Sequence, residues 1–266
     1  MRVSGGSVAL MEVRAEAGQL PLAGVGNLSR RCSSRPDTAK EKAGDQTPCH
    51  ARVSWNPHDR LTVFYGHPLA ARFASQAVAD RAMAGESVVY LDGAHTFDPF
   101  FIGRLARGRR QQPRKVLAMI HVARAFTALQ MERLLSNCLA GALERYEARI
   151  AVLSGLVETL SDETLSERDV ARLSDRMLES IGHLTQQGVS LLCPCPAAPR
   201  SAAPAHRLFA GLCSTADRCI RFHDVQGEVM VEESLPRLEG TASSLPPTDE
   251  PARVVVSSKL SAQCPA

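Results

Sequence analysis

Residues 61–73 read LTVFYGHPLAARF: five strand-favouring residues, a turn at Gly66, Pro68, and then alanine-rich helical sequence. The apolar run has the length and composition of a strand covered on both faces. Gly66 suits the turn, and Pro68 suits the first turn of a helix, where its missing N–H is not needed. A strand that passes through a glycine straight into a helix opens a βα unit, and the same alternation continues along the chain. Short apolar runs at 61–65, 87–91, 116–121, 150–153 and 189–193 predict five strands, and amphipathic patterns at 69–84, 99–106, 128–146 and 167–187 predict the helices between them. In the third helix Met131, Leu134, Leu135, Cys138, Leu139, Ala142 and Leu143 recur at helical spacing. In the fourth, Val170, Leu173, Met177, Leu178, Ile181 and Leu184 do the same, with Ser166 and Asp169 placed as an N-cap pair and Gly188 at the far end. Residues 218–223 and 228–233, joined near Gln226-Gly227, read as an antiparallel hairpin. The fold class is α/β: a mostly parallel sheet, helices on both faces and a C-terminal hairpin.

Composition sets the boundaries of that domain. The chain has 266 residues, 44% of them hydrophobic, and a net charge of only +3, so any nucleic-acid or membrane affinity must rest on a local patch. Residues 1–50 and 234–266 are Ser-, Gly-, Pro- and charge-rich and are expected to be linker and disordered tail around a core at 51–233. No apolar h-region opens the chain and no run nears membrane-spanning length, which predicts a soluble, cytoplasmic protein. Without an export signal the eight cysteines are expected to stay reduced. Cys193-Pro-Cys195 and Cys213-x5-Cys219 have the thiols for a zinc site, although the C-x-C spacing is tight; buried thiols are the other reading, and no metal is expected.

The turn after residues 61–65 has the layout of a phosphate-binding loop, G-x-x-x-x-G-K-[ST], and lacks its chemistry. Counting from Gly66, Ala71 stands at the second glycine, Arg72 at the phosphate lysine and Phe73 at the magnesium-binding hydroxyl. Two other stretches extend the comparison: SVVYLDGAHTFDP at 87–99 and HVARAFTALQMERLL at 121–135, followed by a hairpin after LCSTADRCIRF at 212–222. In this order and spacing they resemble the ATPase core of the RecA/RadA recombinase superfamily, nearest its archaeal and eukaryotic strand-exchange branch, over residues 55–233. The resemblance implies a RecA-like fold and ATP chemistry, and the chemical positions then fail one by one. The strand that should end in a magnesium-binding aspartate ends in Ser154; the water-orienting glutamate falls at Ala94, with His95 where glycine is expected. Pro68 removes a cradle donor, and the fork of Arg72 does not replace an ammonium. Asp92 survives at a largely structural position. Gly66 and Arg72 are therefore expected to be a vestigial nucleotide loop, with Arg72 either solvated or retaining an anion. No catalytic residue and no cofactor are expected. His95 has titratable chemistry but only Asp92 and Asp98 as carboxylate company.

Residues 104–115, RLARGRRQQPRK, collect Arg104, Arg107, Arg109, Arg110, Arg114 and Lys115 without interleaved aromatics. They are either a solvated connection or a contact for DNA phosphates or an acidic partner. The resemblance places DNA-binding loops at 155–166, which is acidic here, and at 194–216, an Ala/Pro-rich segment with Arg200, His206 and Arg207 that reads as a mobile loop. Trp55 lies near the place of the family's polymerisation motif, and its preferred reading is a cover for the sheet edge. Taken together, the resemblance implies a catalytically degenerate, non-enzymatic accessory or regulatory protein in DNA recombination or repair. Its expected partners are a protein such as a RecA-type recombinase or repair factor and, weakly and non-specifically, DNA, with no membrane. The alternative is an ATP-binding recombinase or DNA-dependent ATPase with divergent motifs.

Overall fold

Strand β1 (Leu61–Tyr65) lies inside an eight-stranded sheet whose order is β3-β2-β4-β5-β1-β6-β7-β8. The coordinates are a computed structural model, which describes residues 55–161, 165–201, 203–225, 228–234 and 253–256. The remaining strands are β2 (Val88–Asp92), β3 (Ile120–Arg124), β4 (Ile150–Ser154), β5 (Ser190–Cys195), β6 (Arg218–Val225), β7 (Glu228–Ser234) and β8 (Arg253–Val256). Pairing is parallel from β3 through to β6 and antiparallel from β6 to β8. The expected α/β class, mostly parallel sheet and appended hairpin are all present.

Alternation along each strand assigns the two faces. Phe64, Val88, Tyr90, Ile150, Val152 and Leu192 point into one apolar cluster, shared with α1 (Leu69–Met83), α2 (Pro99–Gly108) and α3 (Pro113–Ala118). Leu61, Val63, Val89, Leu91, Ala151, Leu153 and Leu191 point into the other. There they meet α4 (Ala128–Arg133), a π-helical turn (Leu134–Cys138), α5 (Leu139–Arg145), α6 (Leu156–Thr159), α7 (Glu167–Gln186) and α8 (His206–Thr215). The stripes read at 128–146 and 167–187 supply the second cluster, and the π turn lengthens the first stripe without breaking it. Trp55 is 2% exposed within the first cluster, so it covers the sheet.

Three expectations need correction. Residues 116–121 are not one strand: Pro113 starts the short helix α3, Val116 is buried as a helical residue, and the strand runs from Ile120 to Arg124. Proline at the first helical position is preorganised for a helix, and a short apolar run does not by itself distinguish the two states. The segment 194–216 is not a loop throughout: its residues 206–215 form α8, which buries Leu208 and Leu212, and Arg207 pairs with Asp175. The tail read at 234–266 contributes β8, whose valines pair with β7. The linker 1–50, the Gln226-Gly227 turn, the rest of the tail and Cys32, Cys49 and Cys264 lie outside the described residues.

One strand irregularity shapes the site. Strand β5 pairs with β1 as far as Tyr65↔Cys195, but with β4 only as far as Val152↔Leu192. Pro194 has no N–H to donate, so the end of β5 stays with one neighbour and parts from the other. Helix α6, which follows β4, packs against that end of β5.

Candidate functional site at the carboxyl ends of the strands

Because β1, β2, β4 and β5 are parallel, the turns that follow them share one edge of the sheet, which is where open α/β sheets bind ligands. Gly66, Asp92, Ala94 and Ser154 are all on this edge, so the topology collects the chemical positions singled out in the sequence.

The loop after β1 is closed on itself. Gly66 has φ +94°, and a Cβ there would lie 2.7 Å from the Phe222 carbonyl oxygen, so packing against β6 accounts for the glycine. Its N–H donates to the Cys195 carbonyl at 3.3 Å. The Leu69 N–H donates to His67 Nδ1 at 3.1 Å and the Ala70 N–H to the His67 carbonyl at 2.9 Å, while Pro68 has no N–H. A phosphate cradle works by leaving such donors free for the anion. Here Gly66, Leu69 and Ala70 have spent theirs. Arg72 is exposed and turned toward α2, its guanidinium carbon 5.1 Å from the centre of the Phe101 ring, and Arg104 shares that ring at 5.8 Å. Phe73 stacks on Phe222 at 5.1 Å, and Phe222 meets Phe64 edge-on at 5.7 Å. Gly66 and Arg72 are therefore not brought together around an anion, and the place of the magnesium hydroxyl holds a packing aromatic.

The ends of β2 and β4 are sealed by backbone. The Gly93 N–H donates to the Ser154 carbonyl at 2.8 Å. Gly155, at φ +83°, lies so close that a Cβ would sit 2.2 Å from Ala94 N and 2.4 Å from Gly93 C. The polar side chains satisfy one another: Asp92, fully buried, accepts from the Thr96 N–H at 2.9 Å and the Phe97 N–H at 3.3 Å, and pairs with Arg124 at 3.4 Å. Thr96 Oγ1 and Ser154 Oγ are 3.0 Å apart, with the Tyr90 hydroxyl 3.5 Å from Thr96. Burial pushes the Tyr90 hydroxyl up, partly offset by its bonds to Thr96 and Ser154. His95 is exposed at φ 55° and its ring lies against Phe126 at 4.7 Å, away from both Asp92 oxygens, which Thr96, Phe97 and Arg124 occupy.

Glu158 on α6 is a residue the sequence does not single out, because it sits in the acidic segment 155–166 at the place of a DNA-binding loop. Leu156, Val157 and Leu160 are buried around it, and that apolar spacing was the available signal. Both Glu158 carboxylate oxygens are sealed from solvent without a hydrogen-bond partner among the described residues; only its own backbone N–H leans toward the charge. Burial raises its pKa above the ordinary 4.5. With the folded pKa above the unfolded one, the native state holds the extra proton and loses stability as pH rises through that window. Glu158→Gln is therefore expected to raise stability by about 1–2 kcal/mol at pH 7.5 and to have little effect below pH ~4.5. Denaturation midpoints of both proteins across pH measure this, and a gain that does not grow with pH contradicts it.

Of the described thiols, Cys193, Cys195 and Cys219 are buried and Cys138 and Cys213 are partly buried. Cys193 and Cys195 are fully buried and pushed up by burial, which opposes the thiolate a metal needs. Cys219 Sγ approaches the Cys213 carbonyl at 3.6 Å. Among the described residues no three His, Cys, Asp or Glu side chains converge on a metal-sized position. No helix among them is long and apolar enough to cross a membrane.

The basic run is divided by the fold. Arg104 is near Asp98 at 3.9 Å and over Phe101, and Arg109 pairs with Asp80. Arg107, Arg110, Arg114 and Lys115 are exposed and have no ion-pair partner among the described residues. Helix α2 leads from the carboxyl end of β2 back to the start of β3, so these four lie at the amino edge of the sheet, opposite the glycine loop. Two surface cavities of about 530 and 400 Å³, lined by residues such as Arg149 and Gly188 in one and Arg60 and Asp217 in the other, are also at the amino edge. A second feature missed in the sequence is apolar. Phe100, Phe126 and Leu129 are 78%, 73% and 63% exposed on the segments that follow β2 and β3.

No protein-family model matches the chain, and no curated protein matches it.

Proposed function

We propose that the chain is a catalytically degenerate RecA-like domain acting as a non-enzymatic accessory or regulatory protein in DNA recombination or repair. The observation that carries this reading is the self-satisfied loop at residues 66–70, where the amides that would face a phosphate are bonded to His67 and Cys195. The packing of Phe73 on Phe222 and the backbone closure between Gly155 and residues 93–94 extend the same reading to the magnesium and water positions. The RecA-like assignment is supported by the joint placement of the three quoted segments on one sheet edge. A protein partner is supported by Phe100, Phe126 and Leu129, since large apolar side chains left this exposed on the segments that follow β2 and β3 suit docking onto another protein. The partner chemistry is that of a RecA-type recombinase or repair factor.

One assay separates the two halves. Phosphate release is followed with magnesium and DNA for the chain alone and for the chain added to its host's purified RecA-type recombinase. The chain alone is expected to stay at background and to change the recombinase's rate, with that change lost in a Phe100→Ser, Phe126→Ser variant. DNA-stimulated release from the chain alone, abolished by altering residues 66–73, overturns the degenerate site. An unchanged recombinase rate removes the partnership and leaves the site assignment standing.

A further inference from the structure

The four cations at the amino edge, exposed and without an ion-pair partner among the described residues, lie on the α2–α3 connection, at the opposite edge of the sheet from the glycine loop. Helix α2 ends at Gly108, and a tight corner carries the chain into α3 at Pro113. Hydrogen bonds fix that corner: Arg110 N–H to the Arg107 carbonyl at 2.9 Å, and Gln111 N–H to the Ala106 carbonyl at 2.8 Å. The Gln111 side chain donates to the Met83 carbonyl at 3.3 Å, tying the corner to the end of α1. Arg110 holds φ 58°, a left-handed conformation that a residue other than glycine adopts at a cost. Among the described residues, Asp80 pairs with Arg109, and one oxygen of Glu86 pairs with Arg81. Among the described residues, Arg107, Arg110, Arg114 and Lys115 are left without an ion-pair partner on a held backbone.

We propose that this corner binds the phosphate backbone of duplex nucleic acid, without reading sequence. Three of the four cations are arginines, whose planar forks match phosphate oxygens, and a prearranged corner reduces the ordering cost of contact. A protein partner would need an apolar centre, and a membrane would need an apolar face to insert. Neither is present: the exposed large apolar residues among the described ones are Phe100, Phe126, Leu129 and Val225, none of them in the corner. Single strands are bound by stacking bases on aromatics, and residues 104–115 contain none. What remains is a run of exposed positive charge on one connection, which suits a duplex backbone.

The test is a titration of the full chain into labelled DNA and RNA duplexes of mixed sequence over a range of salt. Four neutralised phosphates give a slope of log affinity against log salt of about −3 to −4. Affinity is expected to be indifferent to duplex sequence. It should fall at least about 100-fold in an Arg107→Glu, Arg110→Glu, Arg114→Glu variant, with the slope moving toward zero. An Arg→Gln triple at the same exposed positions, checked by circular dichroism, keeps the test valid if charge reversal disturbs folding. Arg109 is left intact because its pairing with Asp80 is structural. Binding of either duplex that responds this way supports the proposal, and the two arms show whether DNA, RNA or both are taken. Affinity and slope unmoved by both variants overturn it, as does equal or tighter binding to polyglutamate or to phosphatidylserine vesicles at the same salt.

Discussion

Gly155→Ala is expected to cost about 4 kcal/mol or more and to leave little folded protein. Two effects add. The left-handed backbone of Gly155 penalises any Cβ, and the new methyl would overlap Ala94 N and Gly93 C at 2.2 and 2.4 Å. Both are main-chain atoms, so no side chain can swing aside; the loop after β2 must lift from the end of β4 and break the Gly93–Ser154 hydrogen bond. Gly182→Ala is the control. That glycine is inside α7 with open space around its Cβ position, so alanine there should stabilise by about 0.5–1 kcal/mol. Equilibrium denaturation of both variants makes the comparison. A Gly155→Ala protein as stable as the parent would contradict the close backbone contact between Gly155 and residues 93–94.

The second large effect is at Asp92. Removing its carboxylate in Asp92→Ala strips the Thr96 and Phe97 amides of their acceptor and Arg124 of its partner. Charge-assisted bonds to a buried carboxylate are individually strong, and unpaired buried donors pay their full desolvation cost. A loss of about 3 kcal/mol is expected, with Asp92→Asn near half of that because one acceptor oxygen remains. The same denaturation series reads it. A loss under about 1 kcal/mol in Asp92→Ala would contradict the assignment of Asp92 as the anchor of the loop at residues 93–97.

What the sequence revealed follows from how local each signal is. Strand β1 and its glycine turn were readable because five apolar residues, Gly66 and Pro68 sit side by side. The stripes of the 128–145 and 167–186 helices were readable because helical spacing repeats over several turns. Residues 113–118 misled, since Pro113 and a run of V-L-A-M-I fit either a strand or a short helix until burial decides. Strand β8 was hidden because its partner β7 is distant in the chain. At the site, the losses at Arg72, Phe73, Ala94 and Ser154 were visible as residue types. Three facts were not: that the Gly66, Leu69 and Ala70 amides are spent, that Arg72 turns to Phe101, and that Glu158 faces inward. These depend on backbone hydrogen bonding and tertiary packing, which residue types do not announce; only the parting of β5 from β4 is foreshadowed, by Pro194. The same holds for the division of the basic run, where Asp80 from α1 removes Arg109 from the free set.

The most direct measurement of whether the glycine loop still serves a nucleotide is isothermal titration of the full chain with ATP and magnesium. With its amides bonded internally and Phe73 packed on Phe222, the loop should give no saturable heat, corresponding to a dissociation constant weaker than about 1 mM. A micromolar dissociation constant that is abolished by Arg72→Ala would contradict the closed loop and return this edge of the sheet to nucleotide binding.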